Sequence, residues 1–585
     1  MVHSHTSEGM IKIIFYDFEV FSHDWLVVIV DVDNQEEHVI VNDVGKLQSF
    51  YQKNKNNVWV GYNSNGYDRW IMKGLLCGFN SKEINDWIIV QKNPGWKFSR
   101  ELHKIKLYNY DAMIKRDPND NDRSKSNSLK QLEAFMGHDI RETTVPFNLD
   151  RPLTKEELQE VIYYCRHDVH ETIEVFMRNI SEFNAHLALI NEFNLPLKHI
   201  SKTQAQLAAI ILNAQRGQDF EDEFDIHLPE TVSINKYTEV YEFYKHYNEN
   251  SKDLDINISG VPHTFAAGGV HGAIKNYHLE CADDELMIMA DVAQLYPFIM
   301  VEYDLLSRNV KEPEKFKNIV QTSLRLKAEK KKKEREPFKR ICNITYGAEG
   351  DKYNPMYDPR NRLLVCIYGQ LFLLDLIEKL EVIKSYELIQ SNTDGILVKI
   401  KRIDFDLFDD IVYEWEHRTR LIMEFDYCKK INQKDVNNYI MVDYNGEVKS
   451  KGAYVKELSE LDNDLPIVNR AVRDYFVHGT SVEETIYNSN SLIDFQKVTK
   501  ISGKFDYAIF GTRKQHLKVF RLFAAKTGKE LRKVKGDSIQ KISYTPDVCR
   551  IVNEDIVGKE VPDWVDRDWY IELSEKRITD FLGEG

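Results

Sequence analysis

Apolar positions in this chain fall into two patterns, continuous short runs and runs spaced at helical intervals. Ile11 to Phe15 is an apolar stretch of strand length interrupted by Lys12, Leu286 to Ala290 is a continuous run, and each leads towards an acidic residue. Helical spacing is found from Arg69 to Leu76, in a stretch that begins near Thr154, and from Thr203 to Leu212. Strands and helices share the chain, and we expect a multidomain protein of the α/β and α+β classes.

The composition fits a globular protein of several domains. The 585 residues are 42% hydrophobic and 11% aromatic, enough for more than one buried core. No run of 18 apolar residues occurs and the N-terminus does not resemble a secretory signal, so we expect neither a membrane span nor secretion. Seven cysteines without paired spacing predict neither disulfides nor a zinc site, which favours a reducing, cytoplasmic location. A net charge of -15 argues against a uniformly basic DNA-coating protein, but not against a local basic channel.

Acidic residues early in the chain stand after a strand, at a helix start and on a helix face. Alternate residues of a strand share a face, so Asp17 and Glu19 point the same way. Asp68 opens a helix after a turn-rich loop, where the helix dipole favours a carboxylate. Tyr164 and Asp168 lie four apart on one helix face. Divalent cations prefer such oxygen ligands, although each residue alone is as readily a solvated acid or an ordinary helical residue.

Two further aspartates follow apolar segments in the middle of the chain. Asp291 ends the run from Leu286, and Pro297 then opens a short helix, where its missing amide donor is not needed. Asn392 and Asp394 are two apart, so on a strand a neutral amide and a carboxylate share one face. Alone, each segment is as readily a buried strand with a capping acid.

The segment between those aspartates carries the strongest charge pattern. From Arg325 to Arg340 nine Lys or Arg stand against three Glu, and an internal proline predicts two antiparallel helices joined near Glu334 to Glu336. On the second helix, Lys339, Asn343 and Tyr346 follow at intervals of four and three, so they face one object. A triphosphate with a base above it is such an object, whereas most of the other charges would form a solvated face.

In order, these elements resemble the motifs of family B DNA polymerases of the compact bacteriophage type. Asp17 to Glu19, Gly61 to Asp68 and Tyr164 to Asp168 are similar to the three motifs of the DEDDy 3′–5′ proofreading exonuclease, and Ser128 to Gly137 looks like a structural packing helix between the last two. Asp291 to Pro297, Lys339 to Gly347 and Asn392 to Gly395 are similar to polymerase motifs A, B and C. The resemblance implies an RNase H-like exonuclease domain and a right-hand polymerase with palm, fingers and thumb.

The resemblance also implies two metal sites, each with two Mg²⁺ or Mn²⁺ ions, because paired cations stabilise the attacking and leaving oxygens of an in-line displacement. In the exonuclease, Tyr164 would orient the attacking water and Asn63 would contact the single-stranded 3′ end. In the polymerase, the carbonyl of Val292 would assist the metal carboxylates, and Tyr296 would lie under the sugar as a gate against ribose. The implied metal carboxylates are Asp17, Glu19, Asp68 and Asp168 in the exonuclease, and Asp291 and Asp394 in the polymerase.

Nucleotide contacts are implied for the two central helices. Lys339 would contact the triphosphate, while Asn343 and Tyr346 would line the nascent base pair. Lys327 or Lys331 on the first helix would supply a second phosphate contact, and spacing does not choose between them.

DNA contacts are implied for two other segments. Gly268 and Gly269 look like the end of the YxGG/A segment, with Phe265 in place of tyrosine and one inserted residue, and they suit close approach to a phosphate. Lys451 and Tyr454 look like the KxY-type segment that grips the primer strand near its 3′ end.

The expected domains are an exonuclease at 1–185, a linker with the first part of the palm at 186–310, fingers at 311–350, the second part of the palm at 351–460, and a thumb at 461–585. The thumb region has mixed helical patterns and a basic stretch, and would hold duplex product. The resemblance implies a monomer that binds primer-template DNA and deoxynucleoside triphosphates in viral DNA replication, in the host cell cytoplasm. A helicase and a single-strand binding protein are candidate partners.

Two alternatives stay open. Motif C usually has two aspartates around its threonine, and here Asn392 offers a neutral oxygen, so the second hypothesis is a DEDDy exonuclease whose polymerase half has decayed into a DNA-binding scaffold. A protein-primed phage replicase is similar in length, but the interval from Asp291 to Lys339 leaves little space for its characteristic insertion. An enzyme that extends an ordinary primer is the preferred interpretation.

Overall fold

The chain forms two compact units in the computed structural model, which describes residues 4–6, 9–114, 127–217, 220–452 and 454–584. The first unit comprises Met1–Lys202, Leu458–Pro466 and Ser489–Tyr570, and the second comprises Thr203–Glu457, Ile467–Asn488 and Ile571–Gly585. The region expected to be a thumb, 461–585, is thus shared between the two units. None of the helices in the described ranges is both long enough and apolar enough to cross a membrane.

The first unit begins with a five-stranded sheet flanked by helices. The central strand β3, Ile13–Val20, pairs antiparallel with β4, Trp25–Asp31, and parallel with β6, Val58–Gly61. The outer strands are β5, Glu36–Val41, and β7, Tyr108–Asp111, so the order is β5-β4-β3-β6-β7. Nearly every residue of these strands is buried, which explains the continuous apolar run in the sequence. The elements are β1 Ser4–Thr6, β2 Gly9–Ile11, β3 Ile13–Val20, β4 Trp25–Asp31, β5 Glu36–Val41, α1 Val44–Asn54, β6 Val58–Gly61, α2 Asp68–Leu76, α3 Ser81–Asn85, β7 Tyr108–Asp111, α4 Leu129–Met136, α5 Lys155–Arg178 and α6 Ile180–Glu192, with a π-helical turn at Asp86–Val90 and 3₁₀ turns at Gly95–Lys97, Arg100–Lys104 and Leu197–Ser201.

The second unit is built on one large antiparallel sheet with helices around it. Its elements are α7 Gln204–Ile211, α8 Thr238–Lys245, β8 Leu254–Ile258, β9 Val261–Phe265, β10 His271–Ala273, β11 Tyr277–Glu280, β12 Glu285–Val292, α9 Leu295–Glu302, α10 Pro313–Ala328, α11 Lys332–Glu349, α12 Pro359–Leu380, β13 Glu387–Asn392, β14 Gly395–Lys401, α13 Phe405–Thr419, β15 Met423–Asp435, β16 Asn438–Asp443, β17 Val448–Lys451, α14 Pro466–His478 and α15 Val482–Asn488, with a 3₁₀ turn at Arg402–Asp404.

The large sheet has ten strands in the order β17-β16-β15-β12-β14-β13-β10-β9-β8, with β11 paired to β15. On one face, Met287 and Met289 of β12 pack with Leu397 and Tyr439 in a buried cluster. Because side chains alternate along a strand, Asp291 emerges on the same face as Met289, at the end of this apolar layer. The expected buried strand from Leu286 to Ala290 is confirmed, as the central part of β12.

Helices α10 and α11 pack against each other as a hairpin. The two helices are confirmed, but the prediction that they join near Glu334 to Glu336 is wrong, because the connection is at Glu329 to Lys331. Lys330 makes the turn with a φ of 57°. Glu334 lies in the first turn of α11, where the helix dipole favours an acid, and Pro337 lies inside that helix without ending it.

The C-terminal part of the first unit is mainly β-structure, so the helical pattern expected from 461 onwards is wrong for much of it. The strand β21, Val519–Lys529, is buried over its first residues. These residues are apolar on both faces apart from Arg521, so the sequence shows no strand alternation there. The strands form a three-stranded sheet, β18-β21-β24, and a four-stranded sheet, β20-β19-β22-β23. The elements are a 3₁₀ turn at Leu492–Phe495, β18 Lys497–Lys500, β19 Tyr507–Phe510, β20 Arg513–Gln515, β21 Val519–Lys529, β22 Leu531–Lys535, β23 Ser538–Lys541 and β24 Cys549–Ile551. The last helix, α16 Arg567–Leu582, begins in the first unit, and its residues from Ile571 onwards belong to the second.

Arg521 joins this β-structure to helix α4. Its side chain is fully buried, and its guanidinium donates to the carbonyls of Glu133 at 3.3 Å, Ala134 at 3.1 Å and His138 at 2.6 Å. It also donates to the carbonyl of Glu554 at 2.9 Å. The last carbonyls of a helix lack partners within the helix, so Arg521 caps the C-terminal end of α4. Burial lowers the pKa of Arg521 to about 10, so the side chain stays charged at neutral pH.

Replacing Arg521 by Met should destabilise the first unit. The carbonyls of Glu133 and Ala134 would keep the backbone amides of His138 and Gly137 as donors, but those of His138 and Glu554 would lose the guanidinium. At roughly 1–3 kcal/mol for each unsatisfied group, we expect the free energy of unfolding to fall by about 3 kcal/mol. Chemical denaturation of the full chain measures this. Arg513→Met, at an exposed arginine of β20, is the matched control and should change stability by less than about 0.5 kcal/mol. Equal stability of the two variants would contradict the capping role.

Candidate functional site

Four carboxylates from three elements converge in the first unit, and we call them the first-unit site. Asp17 and Glu19 lie on one face of β3, which continues past both of them. Asp68 is the first residue of α2 and accepts a hydrogen bond from the amide of Phe18 at 3.1 Å. Asp168 comes from the middle of α5, which packs against β3. The four residues are close enough for their charges to act on one another.

Burial and mutual repulsion raise the pKa of these carboxyls. Only 8% of Glu19, 4% of Asp68 and 9% of Asp168 is exposed. Burial is the largest cause of the raised pKa of Asp17, and the charges of the other three carboxylates add to the rise. Burial is the main cause at Asp68 too, where the pKa rises to about 7. Such a concentration of buried oxygen ligands suits divalent cations, which would relieve the repulsion.

Lys130 is a member of the first-unit site that the sequence reasoning missed, because its helix was interpreted as structural packing. Its ammonium donates to Asp168 Oδ1 at 2.6 Å and to Glu133 Oε1 at 2.9 Å, and lies 4.9 Å above the ring of Tyr164. Burial lowers the pKa of Lys130, but the two ion pairs outweigh it and raise the value to about 12. Glu133, His167 and Asp168 present possible ligand atoms within 4.8 Å of one another, and Lys130 already supplies a cation to that group. Every residue of α4 is buried, and two of them, Lys130 and Glu133, are charged. Charged residues are rarely buried without a partner, so this pair was the signal for a charged site.

The two remaining predicted residues of the first unit are Tyr164 and Asn63. Tyr164 is one turn before Asp168 on α5, and burial, followed by the charge of Asp168, raises the pKa of its hydroxyl. Cys165 donates from its thiol to Asp17 Oδ2 at 3.6 Å, and with Asp17 and Glu19 it presents possible ligand atoms within 4.8 Å. Asn63 is exposed in the loop before α2, in a left-handed conformation with a φ of 57°.

The second unit brings Asp291 and Asp394 to neighbouring strand ends, and we call this pair with its surroundings the second-unit site. Asp291 at the end of β12 is the ladder partner of Gly395, and the amide of Val292 donates to the carbonyl of Asp394 at 2.7 Å. A Cβ at Gly395 would lie 1.9 Å from Asp291 Oδ1, so the carboxylate occupies the space that the missing side chain leaves. Glycine at this position lets the two acids approach each other.

The charges around this pair are partly balanced. Burial raises the pKa of Asp291 to about 6, the charge of Asp394 adds to the rise, and Lys449 opposes it. Burial also raises the pKa of Asp394, against the charges of Lys449 and Lys451. Lys451 thus lies where its charge reaches the acid, and Lys449, two residues before it on β17, was not singled out from the sequence.

Asn392 is engaged with a strand neighbour. It is the ladder partner of His271 on β10, and the two side chains are hydrogen-bonded. Burial lowers the pKa of His271, and Lys451 lowers it further, which favours a neutral imidazole at neutral pH. The next residue, Thr393, donates its amide to the carbonyl of Val270 at 2.9 Å. The turn that carries Asp394 is therefore held from both sides.

Gly268 and Gly269 lie beside the same turn. A Cβ at Gly269 would be 2.7 Å from Thr393 Oγ1, whereas Gly268 is open on that side. Gln370 of α12 donates to the carbonyl of Gly268 at 2.7 Å and to that of Ala266 at 2.9 Å, so the helix fixes the loop. The sequence reasoning missed Gln370, which shows no pattern of its own within the apolar helix.

A pocket of about 220 Å³ lies between α9, α11 and the turn at Asp394. Tyr296 and Tyr346 meet in it with ring centroids 4.4 Å apart. Gln294, at the start of α9, has both amide atoms buried without a hydrogen-bond partner, and sequence reasoning missed it. Asn343 contributes to the lining and Lys339, one turn earlier, is exposed outside it. The lining residues are Gln294, Leu295, Tyr296, Pro297, Cys342, Asn343, Tyr346, Thr393 and Asp394.

Lys327 and Lys331, the two candidates for a second phosphate contact, have different surroundings. Lys327 on α10 forms an ion pair with Glu424, which is the ladder partner of Asp291 on β15. Lys331, in the connection of the hairpin, pairs with Glu329 at 2.8 Å. Lys327 is therefore the one that lies near the second-unit site.

Tyr454 lies in a cationic environment. The ammonium of Lys434 is 5.1 Å from its ring centroid and the guanidinium of Arg577 is 4.8 Å away. Its hydroxyl donates to Asp580 Oδ2 at 3.4 Å. The geometry places Tyr454 against α16, near the strand that carries Lys451.

Comparison with known proteins finds likeness in structure but none in sequence. No protein-family model matches the sequence, and no curated protein matches it. Among solved structures, the chain is similar to the family B DNA polymerase from the hyperthermophilic archaeon Pyrobaculum calidifontis, with 14% identity and a TM-score of 0.44 over 98% of this chain and 78% of that one. A TM-score of this size identifies neither the fold nor the function, and the proposal below stands on the two sites.

Metal-free protein should lose stability as the pH rises from about 4 to about 7. The pKa of Asp68 goes from 3.8 to about 7 on folding. The folded state therefore binds more protons than the unfolded state in this window, and stability falls as those protons leave. In the presence of a chelator, the thermal midpoint of Asp68→Asn should fall less over this range than that of the wild type.

The same carboxylates give a second readout, since protons compete with cations for them. Mg²⁺ should raise the thermal midpoint of the wild type more at pH 7.5 than at pH 5. Parallel pH profiles for the wild type and Asp68→Asn, with or without Mg²⁺, would contradict the electrostatic account of the first-unit site.

Proposed function

We propose that this protein is a template-directed DNA polymerase that extends a primer 3′ end with deoxynucleoside triphosphates, and that its first unit is a DEDDy 3′–5′ exonuclease for proofreading. The observation that carries the proposal is the pair Asp291 and Asp394 at adjoining strand ends, beside a pocket lined by Tyr296, Asn343 and Tyr346. Two close carboxylates with a pocket of aromatic and amide groups suit phosphoryl transfer from a bound nucleotide.

Both sites fit divalent metal ions, because their donors are carboxylate oxygens whose pKa is raised by burial and then by neighbouring carboxylates. Two Mg²⁺ or Mn²⁺ ions per site would supply charge neutralisation and orientation for in-line phosphoryl transfer. In the second unit, Asp291 and Asp394 would hold them with the carbonyl of Val292. In the first unit the holders would be Asp17, Glu19, Asp68 and Asp168.

In the proposed polymerase, the helical hairpin supplies the nucleotide contacts. Lys339 is exposed one turn from Asn343 and would contact the triphosphate, while Asn343 and Tyr346 would line the nascent base pair. Lys327 is our choice for the second phosphate contact over Lys331, because its partner Glu424 neighbours Asp291.

The strands around the second-unit site would hold the DNA. Gly268 and Gly269 would face a phosphate of the primer-template, close to the turn that carries Asp394. Lys451 and Tyr454 would contact the primer strand near its 3′ end, where a lysine supplies charge without sequence preference.

In the proposed exonuclease, the chain's own residues hold and orient the 3′ end. Asn63 is exposed on its loop and would contact the single strand. Tyr164 would orient the attacking water. Lys130 would keep Asp168 ionised and in place through their 2.6 Å ion pair.

The wider assignment is also a proposal. It covers a compact phage-type enzyme that works as a monomer on an ordinary primer in viral replication, with a helicase and a single-strand binding protein as partners, in the domain order given from the sequence.

The competing hypothesis of an exonuclease with a decayed polymerase half has one observation in its favour, the neutral Asn392 beside Asp394. Its amide is hydrogen-bonded to His271, which gives it a structural role instead.

Asp394→Asn should abolish primer extension. Loss of one of two central carboxylates should lower the rate by about 10³-fold, equivalent to about 4 kcal/mol of transition-state stabilisation. Extension of a labelled primer-template measures this, with Asp409→Asn on the exposed side of α13 as the matched control. The exonuclease activity of Asp394→Asn should be unchanged. Extension that survives in this variant would sink the assignment of the second-unit site, and a wild type that degrades but never extends would favour the decayed enzyme.

Asp17→Ala combined with Glu19→Ala should remove degradation and spare synthesis. The two carboxylates share a face of β3, and their loss leaves the other two acids without the strand ligands. Digestion of a single-stranded 3′ end should fall by about 10³-fold or more. Glu36→Ala combined with Asp150→Ala, at exposed acids of the same unit, is the control. Continued digestion by the first double variant would show that the nuclease had been placed wrongly.

A further inference from the structure

Helix α12 contacts the side chain of Tyr296. Cys366 Sγ is 2.6 Å from the hydroxyl of Tyr346 and 3.9 Å from that of Tyr296, so one thiol lies between the two phenols. Gly369, one turn later on α12, faces the edge of the Tyr296 ring. Neither Cys366 nor Gly369 lines the pocket, so both contact the tyrosine from the side away from it.

Cys366 acts here as a hydrogen-bonding group. It is buried with only 1% exposed, and burial raises the pKa of its thiol, which keeps it protonated. Burial likewise raises the pKa of the Tyr296 hydroxyl. A buried hydroxyl without a partner is costly, and the thiol is the partner that the structure provides for Tyr296.

Gly369 leaves the space that the ring occupies. A Cβ at this position would lie 3.2 Å from Leu295 Cδ2 and 3.4 Å from Tyr296 Cε1. The contact with Leu295 is tighter than an ordinary carbon contact, whereas the distance to Tyr296 is an ordinary van der Waals contact. A methyl group here would therefore press on Leu295 and only touch the ring.

We propose that Cys366 sets the position of the Tyr296 ring, and thereby the discrimination between deoxyribonucleoside and ribonucleoside triphosphates. The inference rests on the proposed polymerase function, in which Tyr296 lies under the sugar. The thiol holds the ring through its hydroxyl, while Gly369 leaves room beside the edge of the ring. Cys366 is a positioning residue, since it lies outside the lining of the pocket.

Changes at the two positions should have different effects. Cys366→Ala removes the hydroxyl's partner and leaves space beside the ring, which should make room for a 2′-hydroxyl and lower the discrimination by about tenfold. Gly369→Ala adds a methyl group that presses on Leu295 and only touches the ring, so it should keep the discrimination of the wild type. Cys366→Ser keeps a small hydrogen-bonding group and should restore the discrimination of the wild type.

The experiment measures single-nucleotide incorporation by the full chain, in the background of Asp17→Ala with Glu19→Ala so that products are not degraded. The readout is the ratio of kcat/KM for a deoxynucleotide and the matching ribonucleotide, which a general loss of stability would lower for both without changing the ratio. Tyr296→Ala supplies the upper limit of ribonucleotide acceptance. Cys281→Ala, at a half-buried cysteine outside the pocket, and Gly503→Ala, at a glycine with open space around it, are the matched controls.

The outcomes separate the inference from the function on which it rests. If the parent enzyme does not extend a primer, the proposed function fails. If it extends, and the ratio for Cys366→Ala equals that of the controls, the inference is overturned, whether or not Gly369→Ala folds. A lowered ratio for Cys366→Ala, restored by Cys366→Ser, supports it. An equally lowered ratio for Cys366→Ser would show that the hydrogen bond is not the cause and would also overturn it.

Discussion

The crowding of carboxylates in poorly solvated places is the constraint on which both sites depend. Burial is the main cause of the raised pKa values of Asp17, Asp68 and Asp291, and neighbouring acids add to the rise because like charges repel strongly where water is excluded. The fold bears this cost because the acids are attached to strands and helices that apolar layers hold together. Lys130 relieves Asp168, and Lys449 opposes the repulsion at Asp291, but no cation in the described part of the chain is paired with Asp17 or Glu19 at hydrogen-bond distance. The negative charge of Asp17 and Glu19 is therefore the charge that a divalent cation would neutralise.

Rigid backbone is the second requirement, since repelling groups move apart unless the chain prevents it. At the second-unit site, the ladder between β12 and β14 fixes Asp291 against Gly395, and the amide of Val292 ties the two acidic segments together. The turn that bears Asp394 is held by Val270. At the first-unit site the corresponding tie is the amide of Phe18 on Asp68. Arg521 extends the same principle outwards, because it caps the helix that carries Lys130.

How much the sequence predicts follows from how local each feature is. The shared face of Asp17 and Glu19 depends only on strand alternation, and the stripe of Asn343 and Tyr346 only on helical spacing, so both were accessible. Lys130 was not, because its ion pair with Asp168 joins residues 38 apart in sequence. The β-structure after Lys497 was missed because β21 is buried on both faces around Arg521 and lacks alternation. The connection at Lys330 was misplaced because Pro337 lies inside α11, where its missing amide removes one helical hydrogen bond without ending the helix.

The neutral side chain at Asn392 is best understood from the charges around it. An aspartate there would place a third carboxylate on the turn of Asp394, next to a His271 whose pKa burial lowers. A neutral imidazole offers no compensating charge, so the acid would have to rely on Lys451, which already opposes the rise in pKa at Asp394. The amide instead hydrogen-bonds the imidazole without adding charge. Asn392 and His271 therefore form a neutral pair, and Lys449 and Lys451 oppose the rise in pKa at Asp394 without a third acid to balance.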